Sequence, residues 1–271
     1  MKEEALFSRF LNLLGVKAAE PSIQLLSGLI RAHLSVIPFE NISKLYYRER
    51  FKQNGIPSLA QYLDGISHHH FGGTCYTTNY FFFRLLEFLG FHVRLCAADM
   101  KNPGVHMVVV VTLGLREFLV DVGYAAPFLL PVPLDLDTDY AIHSGRDHYV
   151  FKPRDGKGCT KLVMLRSGAY KHGYLVRPEA RNIEHFAGVI AESFRPDATF
   201  FRALLLTRYS SGRFCILHNM EYTESTATES KISRIHTKKE LIGLVDKKFQ
   251  IPPSITNEIL LDLDLSGDAW D

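Results

Sequence analysis

The stretch His106-Met-Val-Val-Val-Val-Thr-Leu-Gly-Leu-Arg-Glu-Phe-Leu-Val-Asp121 decides how this chain is read. Two runs rich in β-branched residues, His106–Leu113 and Arg116–Val122, read as strands, and Gly114 marks the turn between them. With Leu113 and Gly114 as the central turn residues, Thr112 faces Leu115 and His106 faces Asp121. Directly opposed residues on one face have Cβ atoms roughly 4.5–5.5 Å apart, so imidazole and carboxylate can meet through the hairpin alone. A three-residue loop would shift the register by one and put them on opposite faces. The inference therefore rests on the turn.

Upstream, Gly72-Gly73-Thr74-Cys75 precedes an apolar helical run to Leu89, with Gly90 as its stop. Two glycines permit a tight turn and close approach of another backbone, and Thr74 stands at the N-cap position. Cys75 then occupies the first helical turn, where unpaired N–H groups and the positive end of the helix dipole favour thiolate over thiol. A neighbouring imidazole would complete an ion pair, and a carboxylate behind it would fix the imidazole's orientation. Taken singly, each residue has a plainer reading: a small buried thiol, a satisfied core histidine, a strand-end carboxylate. Taken together, Gly-Gly-x-Cys at a helix start with a cross-strand His/Asp pair reads as a thiol triad.

At 271 residues and 46% hydrophobic composition the chain can bury a substantial core. A net charge of +2, with both signs interspersed, argues against a nucleic-acid surface. Four cysteines, at 75, 96, 159 and 215, form no Cys-x-x-Cys pair and read as reduced thiols of a cytoplasmic protein. No run of about 18 apolar residues suggests a membrane span. Helices are expected from Glu4 to Leu14, from Pro21 to about Leu34, from Pro57 to about Leu63 and from Cys75. Strands are expected at Phe91–Ala97, Asp147–Lys152, Lys161–Leu165, Leu204–Arg208 and Arg213–His218, with Pro131–Tyr140 as a long surface connection. Thr237-Lys-Lys-Glu240 is a capping box ahead of a helix. His68-His69-His70 and the Asp135, Asp137, Asp139 series read as solvated loops rather than metal sites, because ligand spacing and partners are missing.

The blocks Leu29–Ile42 (with His33 and Pro38-Phe39-Glu40-Asn41), Phe71–Asn79, Val105-His106 and Leu119–Tyr124 resemble, in order and spacing, the signatures of the arylamine N-acetyltransferases. The resemblance covers roughly residues 20–130 and implies a papain-like Cys-His-Asp site. Such a site takes acetyl from acetyl-CoA and passes it to an arylamine, arylhydrazine or N-hydroxyarylamine. It implies Cys75, His106 and Asp121 as the triad, Tyr124 and Phe39 as acceptor-pocket residues, and Gly104, Val105 and Ser193 as coenzyme contacts. Acetyl-CoA would be a cosubstrate, with no resident cofactor and no metal. The departures are Phe71 where the family has an Arg pairing with Glu40, Val105 for a Thr, Ala125 for a Gly, and Phe194 and Ala198 for hydroxyl residues. His68, His69 or His70 is expected to replace the missing Arg beside Glu40. Fewer hydrogen bonds to the coenzyme are expected where Val105, Ala125 and Phe194 stand.

The combined reading is an α+β fold in three parts. A helical bundle over 1–90 carries the nucleophile, a β-barrel over 91–200 carries His and Asp, and an α/β lid spans 201–271. Alternatives within reach of the same residues are an amide synthase of the family, a cysteine protease or transglutaminase, and an inactive binding module.

Overall fold

The computed structural model describes residues 3–263, 265, 267 and 268. Its N-terminal helices follow the apolar spacing of the sequence: α1 (Glu3–Leu14), α2 (Ile23–Val36), α3 (Ile42–Phe51), α4 (Leu59–His69) and α5 (Cys75–Phe88). The stripe Leu6, Phe7, Phe10, Leu11 and Leu14 of α1 is buried, as its period requires. Serines set the starts of α2 and α4, since the side chains of Ser22 and Ser58 accept the N–H groups of Leu25 and Gln61. Helix α2 accordingly begins after Ser22 rather than at Pro21, and α4 runs to His69, beyond the expected Leu63. Helix α3 has no counterpart in the sequence reading. It buries Ile42, Ser43, Lys44, Leu45 and Tyr47, and its exposed charges, Glu49 and Arg50, lie in its last turn.

Next comes an antiparallel sheet of eight strands: β2 (His92–Asp99), β3 (His106–Leu113), β4 (Arg116–Val120), β5 (Val132–Pro133), β6 (Tyr140–Ser144), β7 (Asp147–Phe151), β8 (Thr160–Arg166) and β9 (Ala169–Arg181). Their order is β5-β4-β3-β2-β9-β8-β7-β6. One face supplies a single core, including Val108, Leu119, Phe151, Leu162 and Tyr174, so the sheet curls around it. The other face packs Leu95, Met107, Val109 and Val111 against the helices. The ends β5 and β6 do not pair with each other, and the expected barrel is an open, curled half-barrel. The long strand β9 stays in the sheet by bulging opposite Cys96–Ala98, around Pro178, which has no N–H to donate.

The β3–β4 hairpin turns one residue later than expected. Gly114 and Leu115 are the central pair, Gly114 takes φ +61°, and Leu113 faces Arg116. The register thus shifts by two, which preserves the faces but removes the direct opposition of His106 and Asp121. The ladder ends at Val109 and Val120, before either residue.

After α6 (Ala187–Glu192), the strands β10 (Leu205–Ser210), β11 (Arg213–His218), β12 (Glu221–Ser225) and β13 (Ser230–Arg234) form a second sheet, covered by α7 (Lys238–Phe249) and α8 (Pro253–Asp262). Half of the capping box at α7 forms as expected, since Glu240 N–H donates to Thr237 Oγ1, while Glu240 Oε2 reaches one residue further back and accepts the His236 N–H. The edge of this sheet is β1 (Phe39–Glu40), paired with β10. Asn41 reinforces that seam, donating to the carbonyls of Phe200 (2.9 Å) and Ala203 (2.8 Å) and accepting the Leu205 N–H (2.9 Å). Among the described residues no helix is long and apolar enough to cross a membrane.

Candidate active site

Cys75 opens α5 and lines a cleft of about 530 Å³ together with His106, Phe39, Val105, Tyr124 and Ser193. Its placement depends on the two preceding glycines. A Cβ on Gly72 would lie 1.7 Å from the Pro38 carbonyl oxygen, and Gly73, at φ +145°, faces Phe39 in a parallel bridge. The two signature segments are therefore stitched backbone to backbone. Thr74 occupies the N-cap position, but its side chain makes no cap bond.

Glu40 completes the stitch without any cation. Its carboxylate accepts the N–H of Gly72 at 2.9 Å and of Ser43 at 2.7 Å, while full burial raises its pKa against those bonds. The expectation of a histidine partner is overturned. His69 instead lies tilted against the rings of Tyr46 and Phe71, and His68 Nδ1 lies 3.0 Å from the Asp64 carbonyl oxygen. Phe71, where the resemblance implies an Arg, packs among Tyr46, Tyr47 and His69.

His106 and Asp121 meet despite the shifted ladder, with Nε2 to Oδ2 at 2.8 Å and both side chains buried. The chain leaves β4 after Val120 and folds over the start of α5, which brings Asp121 back. That passage requires Gly123, where a Cβ would lie 2.7 Å from the Cys75 Cα. Asn79, one turn beyond Cys75, holds the carboxylate: Nδ2 donates to Asp121 Oδ1 (2.8 Å) and to the Met107 carbonyl (2.6 Å), and Oδ1 accepts the Val122 N–H (2.9 Å). Burial drives the His106 imidazolium down, but the Asp121 carboxylate and then the Cys75 sulfur hold its proton and push it up to about 10. With Nε2 committed to Asp121, Nδ1 is left for the sulfur.

Aromatic rings wall the imidazole. Tyr174 and Tyr124 stand 5.2 Å and 5.9 Å from its centroid, and the Tyr124 hydroxyl lies 2.9 Å from His172 Nδ1. Burial, with the His106 charge nearby, lowers His172 to about 4. Tyr76 donates its hydroxyl to the Val105 carbonyl at 2.7 Å and so pins the 100–105 loop beside the cleft.

The family model described as N-acetyltransferase matches residues 22–257 of this chain. The chain belongs to the arylamine N-acetyltransferase family. It is 23% identical to arylamine N-acetyltransferase 2 of Rattus norvegicus, over 97% of this chain and 92% of that protein. It is 28% identical to the arylamine N-acetyltransferase / N-hydroxyarylamine O-acetyltransferase of Salmonella typhimurium, over 75% and 73%. The fold matches that of the Mycobacterium marinum arylamine N-acetyltransferase solved in complex with CoA, with a TM-score of 0.77 at 19% identity over 95% and 99% of the chains.

The expected family residues are distributed unevenly. Phe39, Tyr124, Val105 and Ser193 face the cleft, as do Ala125 and Ala198. Gly104 does not line it; at φ +65° it donates its N–H to Asp99 Oδ1. Phe194 lies beneath the Lys44 ammonium, 4.2 Å from ring centroid to Nζ. Two residues escaped the sequence reading. Asn79 carried a signal in its i+4 offset from Cys75 on a buried helix face, whereas Lys44 carried none, because α3 itself was not foreseen. Among the described residues no group of three or more His, Cys, Asp or Glu side chains is placed to hold a metal.

Proposed function

We propose that this protein is an acetyltransferase in which Cys75 carries the acetyl group from acetyl-CoA to an arylamine, arylhydrazine or N-hydroxyarylamine. The observation that carries this reading is the 2.8 Å contact of His106 Nε2 with Asp121 Oδ2 at the wall of the cleft that Cys75 lines. The Cys75 sulfur attacks the thioester carbonyl carbon, with backbone N–H groups at the start of α5 receiving the developing oxyanion. The bond to the coenzyme sulfur breaks, and that sulfur leaves as a thiol with the proton of His106. In the second half-reaction His106 takes a proton from the amine nitrogen as it attacks the acyl-cysteine. The Cys75–thioester bond then breaks and the free enzyme returns. Asp121 keeps the imidazole oriented through both steps.

On this reading the arrangement is papain-like, with residues 1–90 carrying the nucleophile, 91–200 its partners, and 201–271 acting as the lid. Val105, Ser193 and the 100–105 loop flank the coenzyme, and Tyr124 and Phe39 flank the acceptor. The four free, buried cysteines suit a reducing, cytoplasmic setting. Intact-mass analysis after mixing with acetyl-CoA tests the proposal. One acetyl group on Cys75, discharged by an added arylamine, is expected; an unmodified chain, or full turnover by Cys75→Ser, would overturn it.

A further inference from the structure

Lys44 is buried in the wall of the catalytic cleft, 7% exposed, with no carboxylate paired to it in the described structure. Its ammonium donates to Ser193 Oγ at 2.7 Å, and that hydroxyl is already committed to the Ile190 carbonyl at 2.6 Å. Below it lie the rings of Phe194 and Phe201, 4.2 Å and 5.7 Å from Nζ. Glu192, the one acid among the described residues lining the cleft, is paired with Arg195 at 3.2 Å. Arg48, one turn along α3, donates to the Phe194 carbonyl and stacks on Phe201, so it adds positive charge rather than compensating it. A buried ammonium held by one hydroxyl and two ring faces has lost most of its hydration without gaining an anion.

We propose that Lys44 is an anion subsite for the acyl group, selecting thioester donors whose acyl chain ends in a carboxylate, such as malonyl or succinyl, over acetyl. This rests on Cys75 being the acyl-carrying nucleophile. The acyl chain is the one part of either substrate that remains beside Cys75 through both half-reactions. Lys44 and Cys75 line the same cleft and are coupled electrostatically. Burial pulls the ammonium down to about 7, the Cys75 charge works in the opposite direction and Arg48 adds to the lowering, so an anion arriving at Nζ would hold it charged. An uncharged acyl chain leaves that charge uncompensated. A carboxylate of matching reach forms a charge-assisted bond, which corresponds to about 10- to 100-fold in rate.

The test measures acylation bursts of the intact protein by mass spectrometry, without acceptor, using acetyl-, butyryl-, malonyl- and succinyl-CoA. Wild type should prefer succinyl over butyryl by at least about tenfold, and Lys44→Met should abolish that preference while still accepting acetyl. Lys44→Arg should restore part of it. Equal preference in wild type and Lys44→Met would overturn the proposal. The wild-type succinyl-to-butyryl ratio decides the matter even if the variants do not fold, and a butyryl preference would refute it. Repeating the series with N-acetylcysteamine thioesters removes every phosphate. Selectivity that survives belongs to the acyl carboxylate, whereas a Lys44→Met variant that slows every CoA thioester alike and no N-acetylcysteamine thioester would place the coenzyme phosphates at Lys44 and overturn the assignment. Failure of every thioester to acylate Cys75 would instead refute the nucleophile reading.

Discussion

Asn79 shows how much a single amide can hold. Its carboxamide joins α5 to β3 and to the Asp121–Gly123 turn; replacing it with Ala leaves Asp121 Oδ1 with the Gly123 N–H at 3.1 Å and takes the acceptor from the buried Val122 N–H and a donor from the Met107 carbonyl. Asn79→Ala should lose about 2–3 kcal/mol in urea unfolding, and Cys75 acylation should slow at least about tenfold because Asp121 no longer fixes His106. Wild-type stability with wild-type acylation would remove Asn79 from the site. Two buried histidines set the pH limits of stability in opposite directions. His33, packed edge-on against Phe82, is lowered by burial to about 3, so the unfolded chain binds the extra proton between pH 6.5 and 3. The stability it contributes is whole above pH 6.5 and is lost on acidification. His106 is raised to about 10, so its contribution is whole below pH 6.5 and is lost as the pH climbs toward 10. Each window has a slope of about 1.4 kcal/mol per pH unit. In urea midpoints measured from pH 4 to 10, His33→Leu should flatten the acid limb and Asp121→Asn the alkaline limb.

At the scale of elements, the close approach of the Asp121–Gly123 turn to the first turn of α5 brings the catalytic groups together. Gly123→Ala would press a methyl onto the Cys75 Cα, a backbone atom that cannot rotate away, with Thr78 Oγ1 at 2.7 Å and Asn79 Nδ2 at 2.8 Å also in the way. This change should cost about 1–3 kcal/mol and slow iodoacetamide alkylation of Cys75 relative to wild type, as the helix start moves off the imidazole. Unchanged alkylation kinetics would show that the turn can give way without disturbing the pair. The same turn explains what could and could not be read in advance. Cys75, His106 and Asp121 were legible because helix start, strand periodicity and hairpin are local patterns. Their exact register was not, since Leu113-Gly114 and Gly114-Leu115 are both acceptable turn centres and only tertiary packing chooses. Helix α3 was hidden because two of its five buried side chains, Ser43 and Lys44, are polar and its last turn is charged, so no apolar stripe shows in the sequence. The 13-residue β9 was hidden because Gly173 and Pro178 interrupt it, and only a bulge against β2 reveals it as one strand. Glu40 resisted for a different reason: a carboxylate satisfied by backbone N–H groups leaves no partner residue to find.

At the scale of the whole molecule, the segment between α2 and α3 is tied to the second sheet by a seam far shorter than that sheet's other pairings, two residues of β1 on β10 with Asn41 bonded across it. Asn41→Ala should therefore lower the thermal midpoint by several degrees, the shift expected for about 2 kcal/mol in a chain of this size, and expose the 198–205 segment to limited proteolysis first. Cleavage beginning elsewhere, with an unchanged midpoint, would show that the strands alone suffice. The seam also matters while the chain is being made. Every member of the catalytic trio has left the ribosome once residue 121 emerges, yet β2 gains its second neighbour only with β9, and Phe39 gains its cover only with β10. At about 5–20 residues per second, on the order of ten seconds of translation pass with a reactive thiol and a bare sheet edge side by side. During that interval a nascent chain could pair with a neighbour before it can pair with itself, so the yield of active protein should respond to the pace of elongation between codons 121 and 205 more than to the stability of the finished fold.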